Sequence, residues 1–282
     1  MDGATGLAIP TKYGQSLSVK PSEKQGIQWK SLNHQGNVWF EHDFPLIHPD
    51  KTNTSNPIAT KLAEILSAAF KLNPSFLMNA EGVEVTTHLE FPRDWGLGTS
   101  STLINNISQW AEVNAFELLH RSFGGSGYDI AAAQHDSPIL YRLEAGTPIV
   151  QTITLNWNFT NSLFFIHLNN KQDSKEGIAR YKAHKTQKIL DFKMFHELTT
   201  RVVQAENLQD FEYAIQQHEH LISHYIEIEP IKERLFPEYM GMVKSLGAWG
   251  GDFVLATGTE AQMDYFKRKG FTTIIPFSEM IK

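Results

Sequence analysis

The chain has 282 residues, of which 41% are hydrophobic, and its 25 basic and 31 acidic residues give a net charge of −6. This length can bury a large core, as one α+β domain or as two lobes, and the negative charge argues against broad binding to nucleic acid or to an anionic membrane. The absence of cysteine excludes disulfides, thiolate catalysis and cysteine-ligated metals.

The first part of the chain predicts short strands separated by polar turns. We expect these strands at Leu7–Ile9, Ser16–Val19, Ile27–Trp29 and Val38–Glu41. A helix is predicted from Pro57, because proline suits the first helical turn and apolar residues then recur every three or four positions. Val83–Phe91 alternates between apolar and polar residues and predicts a half-buried strand.

A glycine-containing loop, Gly-Leu-Gly-Thr-Ser-Ser at Gly96–Ser101, joins this strand to a helical pattern that extends to about His120. Gly96 and Gly98 let backbone N–H groups approach an anion without a Cβ in the way, and a helix N-terminus favours negative charge. A phosphate-binding loop is one interpretation, and a simple turn with a helix N-cap is the other. The loop lacks the lysine of a Walker motif, and Ser101 stands where a Rossmann motif has its third glycine.

Two further glycine segments follow. Gly125–Asp129, Gly-Ser-Gly-Tyr-Asp, puts a carboxylate at the start of a short predicted helix, where Asp129 is either a functional acid or a helix cap. Gly247–Gly251, Gly-Ala-Trp-Gly-Gly, lies between a predicted helix and a buried strand. Its alternative interpretation is a helix C-terminal stop followed by a tight connection.

The remainder of the chain is organised around a buried strand predicted at Ser162–Leu168, which runs into a polar loop up to Gly177. Helical patterns dominate residues 186–245, and the chain ends as strand, helix and strand. Strands crowd the first half and helices the second, so we predict a division into residues 1–155 and 156–282. No histidine pair has convincing metal-ligand spacing.

Taken together, in this order and spacing, the three glycine segments resemble those of the GHMP kinase superfamily. Gly96–Ser101 is similar to the family's Gly-Leu-Gly-Ser-Ser-Ala phosphate loop, and Gly125–Asp129 is similar to the segment that carries its catalytic aspartate. Gly247–Gly251 resembles the family's C-terminal Gly-Ala-Gly-Gly-Gly motif, from which Trp249 departs. The string Gly-Tyr-Asp-Ile-Ala at Gly127–Ala131 resembles a bacterial subgroup.

The resemblance implies a fold, cofactors and site residues. The implied fold is α+β and two-lobed, with a ribosomal protein S5 domain 2-like, ATP-binding N-terminal lobe and a ferredoxin-like C-terminal lobe. ATP and Mg²⁺ are the implied cofactors, with Asp129 as the catalytic residue and the Ser100 hydroxyl near the metal. The residues implied to bind ATP phosphates are Gly96, Leu97, Gly98, Thr99, Ser100 and Ser101. Those implied to bind the acceptor are Lys171, Ser174, Gly247, Ala248, Gly250 and Gly251, although a solvated loop is an equal interpretation for Lys171.

One departure from the family concerns the beginning of the chain. Family members usually begin with a strand carrying Gly-Lys and then Gly-Glu, just ahead of a segment like Asp2-Gly3-Ala4, and that strand is missing here. We expect a start codon placed too late, at an internal methionine. No apolar run reaches bilayer length and no signal-peptide pattern is present, so we expect a cytoplasmic protein.

The resemblance favours a kinase that transfers the γ-phosphate of ATP to a mevalonate-type acceptor, as in isoprenoid biosynthesis. Gly250-Gly251-Asp252 resembles phosphomevalonate kinases, with mevalonate kinase as the nearest competitor. The alternatives are an ATP-dependent diphosphomevalonate decarboxylase and a non-catalytic nucleotide-binding protein of the same fold. The expected partner is a small molecule, with neither nucleic acid nor membrane, and the protein is expected to be a monomer or homodimer.

Overall fold

The computed structural model describes residues 3–170, 179, 181–183, 192–247 and 251–282. Its contacts define two units, which we name by their position in the sequence. The central unit comprises Tyr13–Arg93 and Leu97–Gln134, and the terminal unit comprises Met1–Lys12, Asp94–Gly96 and His135–Lys282. Asp94–Gly96 therefore belongs to the terminal unit, although residues of the central unit precede and follow it. The division predicted near residue 155 concerns N- and C-terminal lobes and stays a prediction.

A four-stranded sheet forms one layer of the central unit. Its strands are β2 (Gln15–Pro21), β3 (Gly26–Leu32), β4 (Val38–Phe44) and β5 (Gly82–Leu89). The spatial order is β2-β5-β3-β4, with β3 parallel to β5 and the other pairs antiparallel. Val83, Val85 and Leu89 are buried whereas Glu84 is exposed, as expected for a strand with one face on a core.

Four helices complete the central unit. They are α1 (Pro57–Leu72), α2 (Thr99–Trp110), α3 (Ala115–Ser122) and α4 (Tyr128–Ala133). The single helix predicted up to His120 is wrong, because the chain breaks between α2 and α3. Glu112 has a φ of +53° in the break, and the Asn114 side chain accepts hydrogen bonds from Phe116 N and Glu117 N to begin a new helix.

The described residues of the terminal unit form two antiparallel sheets. The first has the order β1-β6-β7 and consists of β1 (Gly6–Ala8), β6 (Ile139–Glu144) and β7 (Thr147–Thr152). The second has the order β11-β8-β10-β9 and consists of β8 (Leu163–His167), β9 (Val243–Ser245), β10 (Phe253–Thr257) and β11 (Ile274–Pro276). All residues of β8 and β10 are buried, so these strands form the centre of this sheet.

Helices in the described part of the terminal unit include α5 (Phe192–Val203), α6 (Leu208–Ile226), α7 (Ile231–Leu235), α8 (Asp264–Arg268) and α9 (Phe277–Met280). Short 3₁₀ turns lie at Pro49–Lys51, Thr160–Ser162 and Glu260–Met263. The helical pattern predicted through residue 245 is wrong at its end, where β9 pairs with β10. No helix in the described part of the chain combines the length and the apolar character that a membrane crossing needs.

Candidate functional site

The loop between β5 and α2 has two glycines in the left-handed region. The φ angle is +64° at Gly96 and +76° at Gly98. A Cβ is disfavoured at these angles, so the backbone favours glycine at both positions. Gly98 is the N-cap residue of α2, which begins at Thr99.

The N-terminus of α2 is suited to an anion. Its first intrahelical hydrogen bond runs from Thr102 N to Gly98 O at 3.0 Å, so the N–H groups of residues 99–101 have no intrahelical acceptor. Gly98 has no side chain with which to cap them, and the first turn contains no acidic residue. Ser100 is exposed at this end, while Thr99 and Ser101 are half-buried.

Side chains of α2 fix the helix to the sheet of the central unit. The Thr102 hydroxyl donates a hydrogen bond to Gln15 Oε1 at 2.8 Å, and Asn106 Nδ2 donates to Gln15 O at 2.7 Å. Gln15 is the first residue of β2, so α2 is anchored directly to that strand. The Thr102 hydroxyl is thereby engaged in the fold, unlike the exposed Ser100 hydroxyl.

Asp129 lies in the first turn of α4, which packs against α2 within the central unit. The N-cap residue Gly127 has a φ of +77°, and Tyr128 N donates to Ser126 Oγ at 3.4 Å. Burial raises the pKa of the Asp129 carboxyl, while the residue keeps an exposed surface. Burial, and then the charge of Asp129, also raise the pKa of Tyr128.

The third glycine segment connects β9 to β10. Gly247 is exposed with a φ of +65°, and Gly251 is buried with Leu246 O only 2.3 Å from where a Cβ would lie. This segment therefore follows a strand, and the interpretation as a helix C-terminal stop is wrong. Among the predicted acceptor-binding residues, four lie outside the described residues, namely Lys171, Ser174, Ala248 and Gly250.

A buried polar network holds the strand that leads into this segment. Glu219 Oε1 lies 2.8 Å from Lys244 Nζ, and Glu219 Oε2 accepts a hydrogen bond from Ser245 N at 3.1 Å. His218 Nδ1 is 3.3 Å from Lys244 Nζ, and burial, followed by the charge of Lys244, lowers the pKa of His218. Helix α6 and β9 are thus joined by a satisfied ion pair.

Asp94–Gly96, which leads into the first glycine segment, docks on β8 and β10 of its own unit. The Trp95 ring meets the Phe253 ring edge-on, with 5.5 Å between centroids. His167 Nε2 lies 3.2 Å from Asp94 O. The Asp252 carboxylate contacts Gly96, since Asp252 Oδ2 is 1.7 Å from where a Cβ of residue 96 would lie. Trp95 is therefore a packing residue.

The sequence did not predict that Asp252 contacts the first glycine segment, or that His167 contacts Asp94 just before it. The acid that directly follows Gly250-Gly251 was a signal for Asp252. His167 had no such signal, because it is one residue of a buried strand. Among the described residues, no three His, Asp or Glu side chains gather into a group suited to a metal ion.

The sequence matches no protein-family model and no curated protein. Solved structures nevertheless share the fold over nearly the whole chain. A protein from Listeria innocua superimposes with a TM-score of 0.69 at 15% identity, over 98% of this chain and 91% of that one. The mevalonate kinase of Methanococcus jannaschii superimposes with a TM-score of 0.65 at 15% identity, over 97% of this chain and 90% of that one. The phosphomevalonate kinase of Streptococcus pneumoniae superimposes with a TM-score of 0.62 at 14% identity, over 94% of this chain and 88% of that one.

These likenesses confirm the fold predicted from the sequence. The chain has the mixed α+β fold of the GHMP kinases.

Proposed function

We propose that this protein is an ATP-dependent phosphotransferase that acts on a small molecule. In the proposed reaction the γ-phosphate of ATP passes to a hydroxyl or phosphate of a mevalonate-type acceptor. The proposal rests on a GHMP kinase fold combined with the order of the three glycine segments along the chain.

One observation carries the proposal more than any other. Helix α2 begins directly after Gly96 and Gly98, which both adopt positive φ angles, and its first turn is free of acidic side chains. Such a helix N-terminus presents backbone N–H groups and a positive dipole end to an anion. In a chain of this fold, nucleotide phosphates are the anion that we expect there.

The proposed roles of the loop follow from this geometry. The residues that hold the phosphates are Gly96, Leu97, Gly98, Thr99, Ser100 and Ser101. Phosphoryl transfer depends on orientation and charge neutralisation more than on covalent chemistry, which suits a loop of backbone N–H groups. The exposed hydroxyl of Ser100 is the group that would contact Mg²⁺. A magnesium ion bound together with the nucleotide supplies further neutralisation of phosphate charge.

Asp129 is the proposed catalytic residue. Asp129 is an exposed residue whose carboxyl has a pKa raised by burial, so it is a stronger proton acceptor than an ordinary aspartate. We assign to it the acceptance of the proton from the substrate hydroxyl, or the orientation of that hydroxyl toward the γ-phosphate. Gly247 and Gly251, with Lys171, Ser174, Ala248 and Gly250, are proposed to bind the acceptor.

The experiment that tests the proposal is an acceptor screen. Purified protein is given ATP and Mg²⁺ with mevalonate, phosphomevalonate or diphosphomevalonate, and release of ADP and CO₂ is measured. ADP release with the first or second acceptor, without CO₂, is the expected result. Loss of that release in Asp129→Asn, but not in Asp136→Asn, excludes a contaminating kinase, since Asp136 is an exposed acid that pairs with Lys282.

The other outcomes separate the alternatives. CO₂ release with diphosphomevalonate would replace the kinase by a decarboxylase. Nucleotide binding without turnover of any acceptor would favour a non-catalytic protein of this fold. Failure to bind nucleotide at all would overturn the proposal.

A further inference from the structure

We propose that Glu219 is a positioning residue for acceptor binding, because it anchors the strand that leads into the third glycine segment. This inference rests on the proposed function, which assigns acceptor binding to that segment, and it adds a residue from outside the three glycine segments. Glu219 belongs to α6 and acts through β9. Both elements and the third glycine segment belong to the terminal unit.

Strand β9 is held from the side that faces away from its neighbouring strand. It has three residues and, within the described sheet, lies at the edge beside β10. A backbone N–H group of an edge strand that points away from the sheet has no strand acceptor. Ser245 N is such a group, and it donates its hydrogen bond to Glu219 Oε2 at 3.1 Å.

The Glu219 carboxylate holds β9 through both of its oxygens. Oε1 accepts a hydrogen bond from Lys244 Nζ at 2.8 Å, and the Ser245 hydroxyl lies 3.2 Å from Oε1 and 3.1 Å from Oε2. Glu219 is only 6% exposed and Ser245 only 8%, so water competes little for these bonds. Desolvation offsets much of the attraction in a buried ion pair. Its main effect here is therefore to fix the position of β9.

The anchored strand passes directly into the third glycine segment. Leu246 N donates to Phe253 O at 3.2 Å, which closes the pair of β9 and β10 at the two ends of the segment. Leu246 O also lies 2.3 Å from where a Cβ of Gly251 would be. A shift of Ser245 would therefore move Leu246, and with it the closure from which Gly247 and Gly251 are held.

Helix α6 carries a second carboxylate on the same face, at the other end of the strand pair. Glu212, two turns before Glu219, accepts a hydrogen bond from the Thr257 hydroxyl. Thr257 Oγ1 in turn accepts from Met242 N at 2.8 Å. Met242 and Leu246 are separated by roughly 13 Å of extended strand. Glu212 is thus a matched control, since it holds the same strands at the end remote from the glycine segment.

Amide hydrogen exchange tests the anchoring without any substrate. Glu219→Gln keeps the shape of the side chain and removes its charge, so exchange at Ser245 and Leu246 should accelerate by roughly tenfold. Glu212→Gln should accelerate exchange at Thr257 and leave it within about twofold of the wild type at Leu246. Unchanged exchange in Glu219→Gln, or equal acceleration at both ends of the strand pair, would overturn the inference.

Steady-state kinetics test the positioning, with mevalonate or phosphomevalonate, whichever the wild type phosphorylates. Glu219→Gln should lower kcat/KM for the acceptor by roughly 10- to 100-fold, because small misplacements have large effects on group transfer. The calorimetric dissociation constant for ATP should stay within about threefold of the wild type, since remote sites act independently. Glu212→Gln should keep wild-type kcat/KM even if its Tm falls. Equal kinetic losses in the two variants, or equal losses toward ATP and acceptor, would indicate a merely structural role and overturn the inference.

Ser245→Ala is the second variant, and it decides the matter if Glu219→Gln does not fold. It removes only the hydroxyl contact and leaves Glu219 paired with Lys244. Exchange at Leu246 should accelerate, and acceptor kcat/KM should fall, by roughly three- to tenfold. Wild-type values of both quantities in this variant would contradict the anchoring.

Failure of the proposed function would give a different result. A wild type that phosphorylates neither acceptor contradicts the proposed function, whereas hydrogen exchange still decides whether Glu219 anchors the third glycine segment. A wild type that phosphorylates one acceptor, together with wild-type kinetics in Glu219→Gln, contradicts this inference alone. The two failures are therefore distinguishable.

Discussion

The helices of the central unit begin in two different ways. Asn56 and Asn114 begin α1 and α3 with φ angles of −77° and −70°, and each side chain accepts hydrogen bonds from two backbone N–H groups of the first turn. Gly98 and Gly127 begin α2 and α4 with φ angles of +76° and +77° and have no side chain for this purpose. The asparagine side chains therefore satisfy two N–H groups of their own helix, whereas the glycine caps of α2 and α4 have no side chain that could do so.

This difference has a physical consequence. An asparagine cap stabilises a helix by about 1 kcal/mol relative to alanine, and a helix that lacks such a cap forgoes that contribution. Both glycine-begun helices lie in the segments that resemble GHMP kinase motifs, and both asparagine-begun helices lie outside them. The contrast predicts that the first turns of α2 and α4 affect activity, whereas the caps of α1 and α3 affect only stability.

The largest expected effect is that of Asp129→Asn. We expect turnover to fall by roughly 10²- to 10⁴-fold, as for loss of a general base, with ATP affinity changed less than threefold. Stopped assays of ADP release and calorimetric binding measure the two quantities. Retained turnover would contradict the assignment of Asp129.

The same substitution should stabilise the protein at neutral pH. Because burial raises the pKa of Asp129, the native state binds that proton more tightly than the unfolded chain does. This contribution to stability is present at low pH and is lost as the pH rises through the folded pKa. We expect Asp129→Asn to raise the Tm at pH 7 and to lose that advantage in acid. Asp136→Asn should not raise it, since the hydrogen bond and charge of Lys282 lower the pKa of Asp136.

An intermediate effect is expected from an acid in the first turn of α2. Ser100→Asp should stabilise the helix by about 0.3–1 kcal/mol through the helix dipole and weaken ATP binding by roughly tenfold through repulsion. Ile58→Asp is the matched control, because Ile58 is the second residue of α1 and is 40% exposed. That variant should bind ATP as the wild type does. A similar loss of affinity in both variants would contradict the proposed functional difference between the two kinds of helix start.

The smallest effect is expected from Asn114→Ala. Loss of the two hydrogen bonds at 2.9 and 3.1 Å to Phe116 N and Glu117 N should lower the free energy of unfolding by about 1 kcal/mol. Urea unfolding measures this change. Turnover and ATP affinity of the folded protein should stay at wild-type values, and a loss of either would mean that the two kinds of helix start are not functionally distinct.

Features that depend only on neighbouring residues could be predicted from the sequence. The alternation of Val83–Leu89, the proline at the start of α1 and the glycines before α2 predicted their elements, because strand, helix and turn preferences act over a few residues. The prediction of one continuous helix up to His120 was wrong for a local reason as well. Asn114 is a strong N-cap residue, and its effect was outweighed by the apolar periodicity on either side.

Strand β9 could not be predicted from the sequence, and the reason is a different one. Lys244 and Ser245 are held by Glu219 of α6, and β9 pairs with β10 across the glycine segment. Three residues are too short for a periodic pattern, so tertiary hydrogen bonds decided their conformation. The contact of His167 could not be predicted either, because its partner is the carbonyl of Asp94 in a distant part of the chain.

The sequence by itself determined the three glycine segments, their order, and the acid that follows each of the last two, because these are properties of neighbouring residues. Tertiary structure decided that Asp252 lies against Gly96 and that Asp94–Gly96 packs with β8 and β10. The register of β10 on β8 sets that contact, since pairing Phe253 with His167 brings the preceding residue to the loop. Strand register between distant segments is fixed by burial of whole strands and is not encoded in any short stretch.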